Sequence, residues 1–339
     1  MSITVAPIGA VDEAAIEQAY QIVAAQVAAD EPDFPPYCRQ RFGTLLRDPM
    51  PGNEPIHLLA HLDGEPAGFL GLDLPQLDNT ENASAELAVH PAYRRRGVGR
   101  SLLAHGLGVL RERGRRRVSA MSRAHLPGAP DRPAPASAFA ASVGAVDALA
   151  DVRRRLDVTG LDQAKLDSLL ADARARSTGY EVLCWRGGTP DELIADVAYL
   201  DGRLLADAPM GDLAWEPEAV DAERVRATDA VLKARGKRRY HAGVRHAASG
   251  RLVAWTLLDL GASADWHAFQ QITIVDPDHR GHRLGLLAKI ENLRHLLAHE
   301  PAVRAIDTFN AASNDHMIAI NEQLGFRVAD RWSNWQLTL

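Results

Sequence analysis

The chain has 339 residues, of which 46% are hydrophobic and 24% are charged, and its formal net charge is −6. This length favours two globular domains, and the acidic balance argues against a general nucleic-acid binder, because such proteins are usually basic. Cys38 and Cys184 are far apart and predict neither a disulfide scaffold nor a metal site, so a cytoplasmic location is expected. No signal peptide and no membrane span of roughly 18 apolar residues is visible. Neither nucleic acid nor membrane is an expected partner, and the oligomeric state is not predicted.

The first half of the chain alternates between strand-like and helix-like patterns. Apolar runs and helical spacing predict a strand, two helices, a hairpin, a further strand, a basic glycine loop, a helix, a strand, a short helix and a closing strand. In order, excluding the loop, these are residues 3–8, 11–29, 37–47, 56–62, 67–74, 84–89, 98–113, 118–122, 136–143 and 146–158.

The same order then restarts after a polar helical connector. The second series comprises residues 180–185, 191–205, 217–234, 240–245, 252–260, 269–275, 286–297, 305–309 and 314–324. Val89 aligns with Val275, and Gly99 with Gly285, so the chain is an internal duplication. The predicted domains are residues 1–160 and 179–339, with a helical connector at residues 161–178.

The basic glycine loop reads Arg94-Arg95-Arg96-Gly97-Val98-Gly99 and lies between a strand and a helix. Glycine allows the backbone to approach a ligand closely, and a helix N-terminus offers unpaired N–H groups, so the loop predicts a phosphate site. A Rossmann fingerprint would need a further glycine at the position of Leu102, and a P-loop would need Gly-Lys-Ser/Thr, so neither motif fits.

The spacing Arg/Gln-x-x-Gly-x-Gly/Ala, which the first loop matches, resembles the acetyl-CoA-binding loop of the GNAT superfamily of N-acetyltransferases. The resemblance extends over both halves and implies the α+β class. Each half would be a mixed, mostly antiparallel twisted sheet flanked by helices, with splayed fourth and fifth strands. It also implies acetyl-CoA as cosubstrate and direct attack of an amine on the thioester, with the primary amine of a small molecule as the expected acceptor.

The resemblance also implies which residues bind the cofactor. In the first half they are Leu87, Ala88, Val89, Arg94, Arg95, Arg96, Gly97, Val98, Gly99, Arg100 and Ser101. In the second half they are Ile274, Val275, Arg280, Gly281, His282, Arg283, Leu284, Gly285, Asn310 and Asn314. No metal site is expected, since His279 and His282 lack further ligands at a suitable spacing.

Glu86 precedes the cofactor strand residues and is the candidate general base, with a solvated or salt-bridged strand carboxylate as the alternative. Its counterpart in the second half is Ile272, which leaves the nearby Asp259, His267 and Gln271 as candidates there.

Two departures from the family pattern leave the function open. Arg283 replaces the middle glycine of the second loop, where a side chain would either crowd the pyrophosphate or add a compensating charge. Asn321 and Ala140 occupy the position at which the family often has a tyrosine acid. A tandem enzyme, a non-catalytic acyl-CoA sensor and a protein-lysine acetyltransferase therefore remain alternatives, and either half could be catalytic.

Overall fold

The structure is a computed structural model that describes residues 1–126 and 134–339. The chain forms two compact units, each of which includes segments that are distant in sequence. The first contains Met1–Ala150, Gly211–Glu216 and Arg331–Leu339; the second contains Asp151–Met210 and Pro217–Asp330. In the part of the chain described, no helix is long and apolar enough to cross a membrane.

The helices and strands follow the predicted order closely. Those that begin in the first unit are β1 (Ile3–Pro7), α1 (Glu13–Asp30), α2 (Arg39–Arg47), β2 (Asn53–Leu62), β3 (Glu65–Pro75), β4 (Asn82–Val89), α3 (Val98–Glu112), β5 (Arg117–Ala124), α4 (Pro135–Ser142) and β6 (Val146–Asp157). Those that begin in the second unit are α5 (Gln163–Arg176), β7 (Tyr180–Arg186), α6 (Ile194–Gly202), α7 (Leu204–Asp207), α8 (Ala222–Ala234), β8 (Arg238–His246), β9 (Leu252–Leu260), β10 (His267–Val275), α9 (Leu284–His299), β11 (Ala305–Ala311), α10 (Asp315–Leu324) and β12 (Arg327–Thr338).

Each unit is built on a mixed, mostly antiparallel sheet. In the first, β1 to β4 are antiparallel neighbours, β5 runs parallel to β4, and β12 from Arg331 onward pairs antiparallel with β5. In the second, β7 to β10 are antiparallel neighbours, β11 runs parallel to β10, and the later part of β6 pairs antiparallel with β11. The predicted fold class is confirmed.

The parallel pair in each sheet separates after a few residues. β4 pairs with β5 only from Asn82 to Ser84, and β10 pairs with β11 only from His267 to Gln270. The remainder of β4 and β10, which leads into the glycine loops, has no strand partner on that side among the residues that the structure describes. The predicted splay of the fourth and fifth strands is therefore present in both units.

The compact units divide the chain differently from the predicted domains. The strand β12, which the sequence patterns did not predict, begins in the second unit and completes the sheet of the first. The later part of β6 belongs to the second unit, although it was expected to close the first. Strand pairing between residues so distant in sequence leaves no local pattern. The predicted domain boundaries at residues 160 and 178 stay a prediction.

The β3 strand is buried on both faces and separates the two core clusters of the first unit. Leu70 and Leu72 belong to the core cluster of α3, whereas Phe69 packs in the cluster of α1 and α2. Because side chains alternate along a strand, Ala88, which lies opposite Phe69, shares the face toward α1 and α2 with Glu86.

The second unit buries a lysine on α9, the helix that follows its glycine loop. Lys289 is 2% exposed, and its amine lies 5.6 Å over the ring of Phe326, beside a cavity of about 10 Å³. Burial lowers the pKa of Lys289 to about 7. An unfolded lysine keeps its proton up to about pH 10.4, so the unfolded chain binds more protons than the folded chain between these values, and stability rises with pH there.

We therefore expect wild-type stability to rise between pH 7 and pH 9 by up to about 1.4 kcal/mol per pH unit relative to Lys289→Met. Urea unfolding of the second unit at several pH values measures this difference. Lys233→Met, which removes an exposed lysine on α8, should follow the wild type. Parallel pH profiles of wild type and Lys289→Met would show that the lysine stays charged in the fold.

Candidate active site

The two glycine loops follow the same backbone course. Each begins with a short 3-10 turn, Pro91–Tyr93 or Pro277–His279, and ends at a left-handed residue before the helix. That residue is Gly97, with φ of 91°, in the first loop and Arg283, with φ of 57°, in the second. A Cβ at Gly97 would meet Ile3 of β1 at 3.4 Å. Arg283 adopts the same left-handed region as Gly97, and its side chain forms an ion pair with Asp172 on α5.

The first arginine of each loop anchors the loop to the helix beside it. Arg94 donates to both carboxylate oxygens of Asp30, at 2.8 and 2.7 Å, and to the carbonyl oxygen of Val89 at 3.3 Å. Arg280 repeats the arrangement with Asp207 at 3.1 Å and the carbonyl oxygen of Val275 at 3.4 Å. These guanidinium groups therefore hold the loop in place, although the resemblance implied cofactor binding.

Removing this anchor should weaken cofactor binding. We expect Asp30→Asn to raise the Kd of acetyl-CoA at the first loop by about 3- to 10-fold, because one partly buried charge-assisted pair is lost. Calorimetric titration measures the change, and Asp207→Asn is the matched variant for the second loop. Glu17→Gln, which breaks the more exposed ion pair to Arg39, is the control and should leave the Kd unaltered. An unchanged Kd in Asp30→Asn would show that the loop holds its shape alone.

The helices after both loops begin without a capping side chain. Among the described residues, no side chain caps α3 or α9, as is also true of α4, α6 and α7, whereas Asp12, Asp162, Asp221 and Asn314 cap the helices that follow them. The first intrahelical bond at the first loop runs from the Ser101 N–H to the Gly97 carbonyl, which leaves the amides of Val98, Gly99 and Arg100 facing outward. Such amides and the positive end of the helix dipole suit a pyrophosphate.

The strand before each loop offers its free backbone edge. Leu87, Ala88 and Val89 pair with β3 on one side and lie along the gap on the other. Ile274 and Val275 lie equivalently on β10. These edges can pair with the pantetheine arm of coenzyme A like an added strand.

The second glycine of each loop lets the helix approach this strand. A Cβ at Gly99 would contact Val89 and Phe139 at 3.5 Å, and one at Gly285 would contact Val275 at 3.6 Å. The two gaps are therefore enclosed in the same way. Leu284, which was predicted to bind the cofactor, is a buried residue at the start of α9.

The remaining basic residues lie around the loops. Arg96 lies over the ring of Tyr93 at 6.0 Å, and Arg100 donates to Ser142 Oγ at 3.4 Å. In the second loop, the His282 ring lies 5.3 Å from that of Tyr180. Two left-handed residues, Arg95 and Gly281, occupy equivalent positions.

The two asparagines predicted to bind the cofactor, Asn310 and Asn314, form local hydrogen bonds. Asn314 Oδ1 accepts from the Met317 N–H at 3.1 Å and caps α10, and Asn310 Oδ1 accepts from Asn321 Nδ2 at 2.7 Å. In the first unit, Ala140 lies on α4 at the position of Asn321, and Pro133, the counterpart of Asn314, lies outside the described residues.

Glu86 lies on β4 beside the first gap, and with Tyr37 and Arg41 it forms the surface called the Glu86 cleft. It is directly opposite Gly71 on β3, which has no side chain of its own. The residue is exposed, although protein atoms lie densely around its carboxyl and the Tyr37 hydroxyl is directed at it. Burial raises the pKa of the Glu86 carboxyl, the charge of Arg41 offsets part of this rise, and the charge of Asp73 adds to it.

Two neighbours of Glu86 were missed by the sequence patterns. The buried hydroxyl of Tyr37 has no hydrogen-bond partner at normal geometry among the described residues, and burial followed by the charge of Glu86 raises its pKa. Burial lowers the pKa of His57 to about 4, so this histidine is neutral near pH 7. Tyr37 follows two prolines and was predicted only to start a helix, because a cleft between a helix and a sheet has no sequence pattern.

In the second unit, the residues considered as the general base are already paired or lack charge. Asp259 accepts from Lys237 at 2.7 Å, and both residues are largely buried. His267 lies 2.9 Å from Asp307, and both side chains are fully buried. Ile272 is apolar, and Gln271 is not an ionisable base.

Comparisons with known proteins agree with this geometry. The acetyltransferase (GNAT) family model matches residues 19–127. A tandem GNAT protein from the clavulanic acid biosynthesis pathway is 32% identical, with a TM-score of 0.85 over 99% of this chain and 98% of that one. The mycothiol acetyltransferase of Thermomonospora curvata is 29% identical over 79% of this chain and 78% of its own length. That of Actinosynnema mirum is 39% identical over 99 residues, which are 29% of this chain and 32% of that enzyme.

The chain belongs to the GNAT family of acetyltransferases. It is an acetyl-CoA-dependent N-acetyltransferase with two GNAT folds in tandem.

Proposed function

We propose that the first unit transfers the acetyl group of acetyl-CoA to the primary amine of a small molecule, with Glu86 as the general base. The observation that carries the proposal is the position of this carboxylate, which lies next to Leu87 on the free edge of β4 and is exposed to solvent. Its raised pKa suits proton transfer better than that of an ordinary surface carboxylate.

The reaction needs one proton acceptor and one donor. Glu86 takes a proton from the substrate ammonium and passes it to solvent. The resulting amine attacks the thioester carbonyl carbon, so that a carbon–nitrogen bond forms and the carbonyl oxygen becomes an oxyanion. The carbon–sulfur bond then breaks, and the second proton of the nitrogen goes to the departing sulfur. The products are the acetylated amine and free coenzyme A, with one proton released.

The first unit is the better candidate for catalysis because only its gap has such a base among the described residues. In the second unit, Ile272 replaces Glu86, and both Asp259 and His267 are held in buried pairs. The uncapped start of α9 still offers amides to a pyrophosphate. We therefore assign the second unit cofactor binding without transfer.

A non-catalytic acyl-CoA sensor is the second candidate, because Ala140 and Asn321 stand where a tyrosine acid is often found in the family. Incubating the protein with acetyl-CoA, a panel of small amines and a thiol-detecting reagent separates the two. The enzyme releases thiol with at least one amine and yields an acetylated product of matching mass. Tight acetyl-CoA binding with no thiol release for any amine would overturn the proposed transfer and favour the sensor.

A further inference from the structure

The floor of the Glu86 cleft carries two carboxylates on one face of the sheet. His57, Gly71 and Glu86 lie in one row across β2, β3 and β4. Asp73 is opposite Ser84, two residues from Glu86, so its side chain shares that face. Asp73 and Glu86 are therefore diagonal neighbours across the β3–β4 pair. A substrate ammonium above this row would face the carboxylate of Glu86.

An aromatic cluster packs behind this row and ends in a cation. The Tyr37 ring lies 5.9 Å from that of the buried Phe42, which lies 5.3 Å from that of the buried Phe69 on β3. The guanidinium of Arg41 lies 5.7 Å over the Tyr37 ring. Arg41 and the Tyr37 hydroxyl thus stand together beside Glu86; the hydroxyl is directed at the Glu86 carboxyl, and Arg41 is a charged hydrogen-bond donor.

Arg41 differs from the other arginines of α2 in having no carboxylate bound to it. Arg39 pairs with Glu17 at 2.6 Å and Arg47 pairs with Glu13 at 2.5 Å. Within residues 1–126 and 134–339, the Arg41 side chain forms no ion pair or hydrogen bond, and its charge acts on the carboxyl of Glu86. The residue is also in the first turn of α2, where the helix dipole disfavours a cation and no acidic residue offsets it.

These observations fit a ligand that brings its own anion. We propose that the amine acetylated at this cleft also carries a carboxylate, so that the substrate is an amino acid or a similar small aminocarboxylate. Its ammonium lies at Glu86, and its carboxylate lies against Arg41. A guanidinium fork matches a carboxylate in shape and charge. This inference rests on the proposed transfer at Glu86.

The test compares amines that differ only in the carboxylate. Thiol release is measured with L-alanine against L-alaninamide, β-alanine against its amide, and L-lysine against cadaverine. We expect kcat/KM to favour the carboxylated member of at least one pair by about 10- to 100-fold, the size of one charge-assisted contact. Arg41→Gln should bring that ratio close to one without changing the KM for acetyl-CoA.

Arg39→Gln is the matched control, because it removes a neighbouring arginine of α2 that is already paired with Glu17. It should keep the wild-type preference. Retained acetyl-CoA binding shows that each variant is folded. Thiol release without a preference for any carboxylated amine, or a preference that survives in Arg41→Gln, would overturn the inference and leave the transfer intact. No thiol release from any amine would overturn the transfer, and the inference with it.

Discussion

Glu86→Gln is expected to lower kcat for acetyl transfer by about 100- to 1,000-fold, within the range that a positioned general base contributes. Glutamine keeps the size and much of the polarity of the side chain but cannot accept the proton of the ammonium. The KM for acetyl-CoA should change little, because the proposed cofactor contacts lie on the β4 backbone and in the loop. Steady-state thiol release over a range of both substrates separates the two constants.

The pH profile provides an independent check on the same residue. Because the pKa of Glu86 is raised, the wild-type rate should fall with decreasing pH at values above the ordinary glutamate range near 4.3. This acid limb should disappear in Glu86→Gln. Glu65→Gln, an exposed glutamate on β3, should keep both the rate and the limb. A rate in Glu86→Gln within threefold of the wild type would mean that solvent or another group is the base.

Gly97→Glu is expected to weaken acetyl-CoA binding at the first loop by at least about 100-fold, because a carboxylate would stand beside the phosphate-binding amides. Calorimetric titration should show the loss of one site if both units bind the cofactor. Thiol release should fall with it, because transfer is assigned to the first unit.

Gly97→Arg is the matched control for this variant. It imposes the same left-handed strain, since φ is 91° at this position, and copies the arginine that the second loop has there. Binding should therefore be lost far more in the glutamate variant than in the arginine variant. Equal losses in both would attribute the effect to backbone strain, and unchanged stoichiometry and activity in Gly97→Glu would exclude the first loop as a working site.

Much of the fold could be predicted because its signals are local. The hairpin turn at residues 63–64, the Arg94–Gly99 loop and the helix end at Gly325 each depend on neighbouring residues, and the structure has them where the patterns placed them. The order of the strands could also be predicted, because the same series of strands and helices occurs in both halves of the chain. β12 was missed because it is defined by its pairing with β5, about two hundred residues earlier.

The site was predictable in its backbone and less so in its side chains. The gap, the uncapped helices and the place of Glu86 follow from the position of the loop after its strand. Arg94 was expected to bind phosphate, but the pairing of its guanidinium with Asp30 depends on where α1 ends in space. Tyr37 and Arg41 reach the cleft because α2 packs across the sheet through Phe42, a tertiary contact that spacing alone does not specify.

The most direct test of transfer in the first unit is an experimental structure of the protein with acetyl-CoA bound. We expect the thioester to lie in the gap between β4 and β5, with its carbonyl facing the cleft of Glu86 and its pyrophosphate on the amides of Val98 to Arg100. A structure in which the thioester occupies only the gap between β10 and β11, while the first gap stays empty at saturating cofactor, would contradict the assignment.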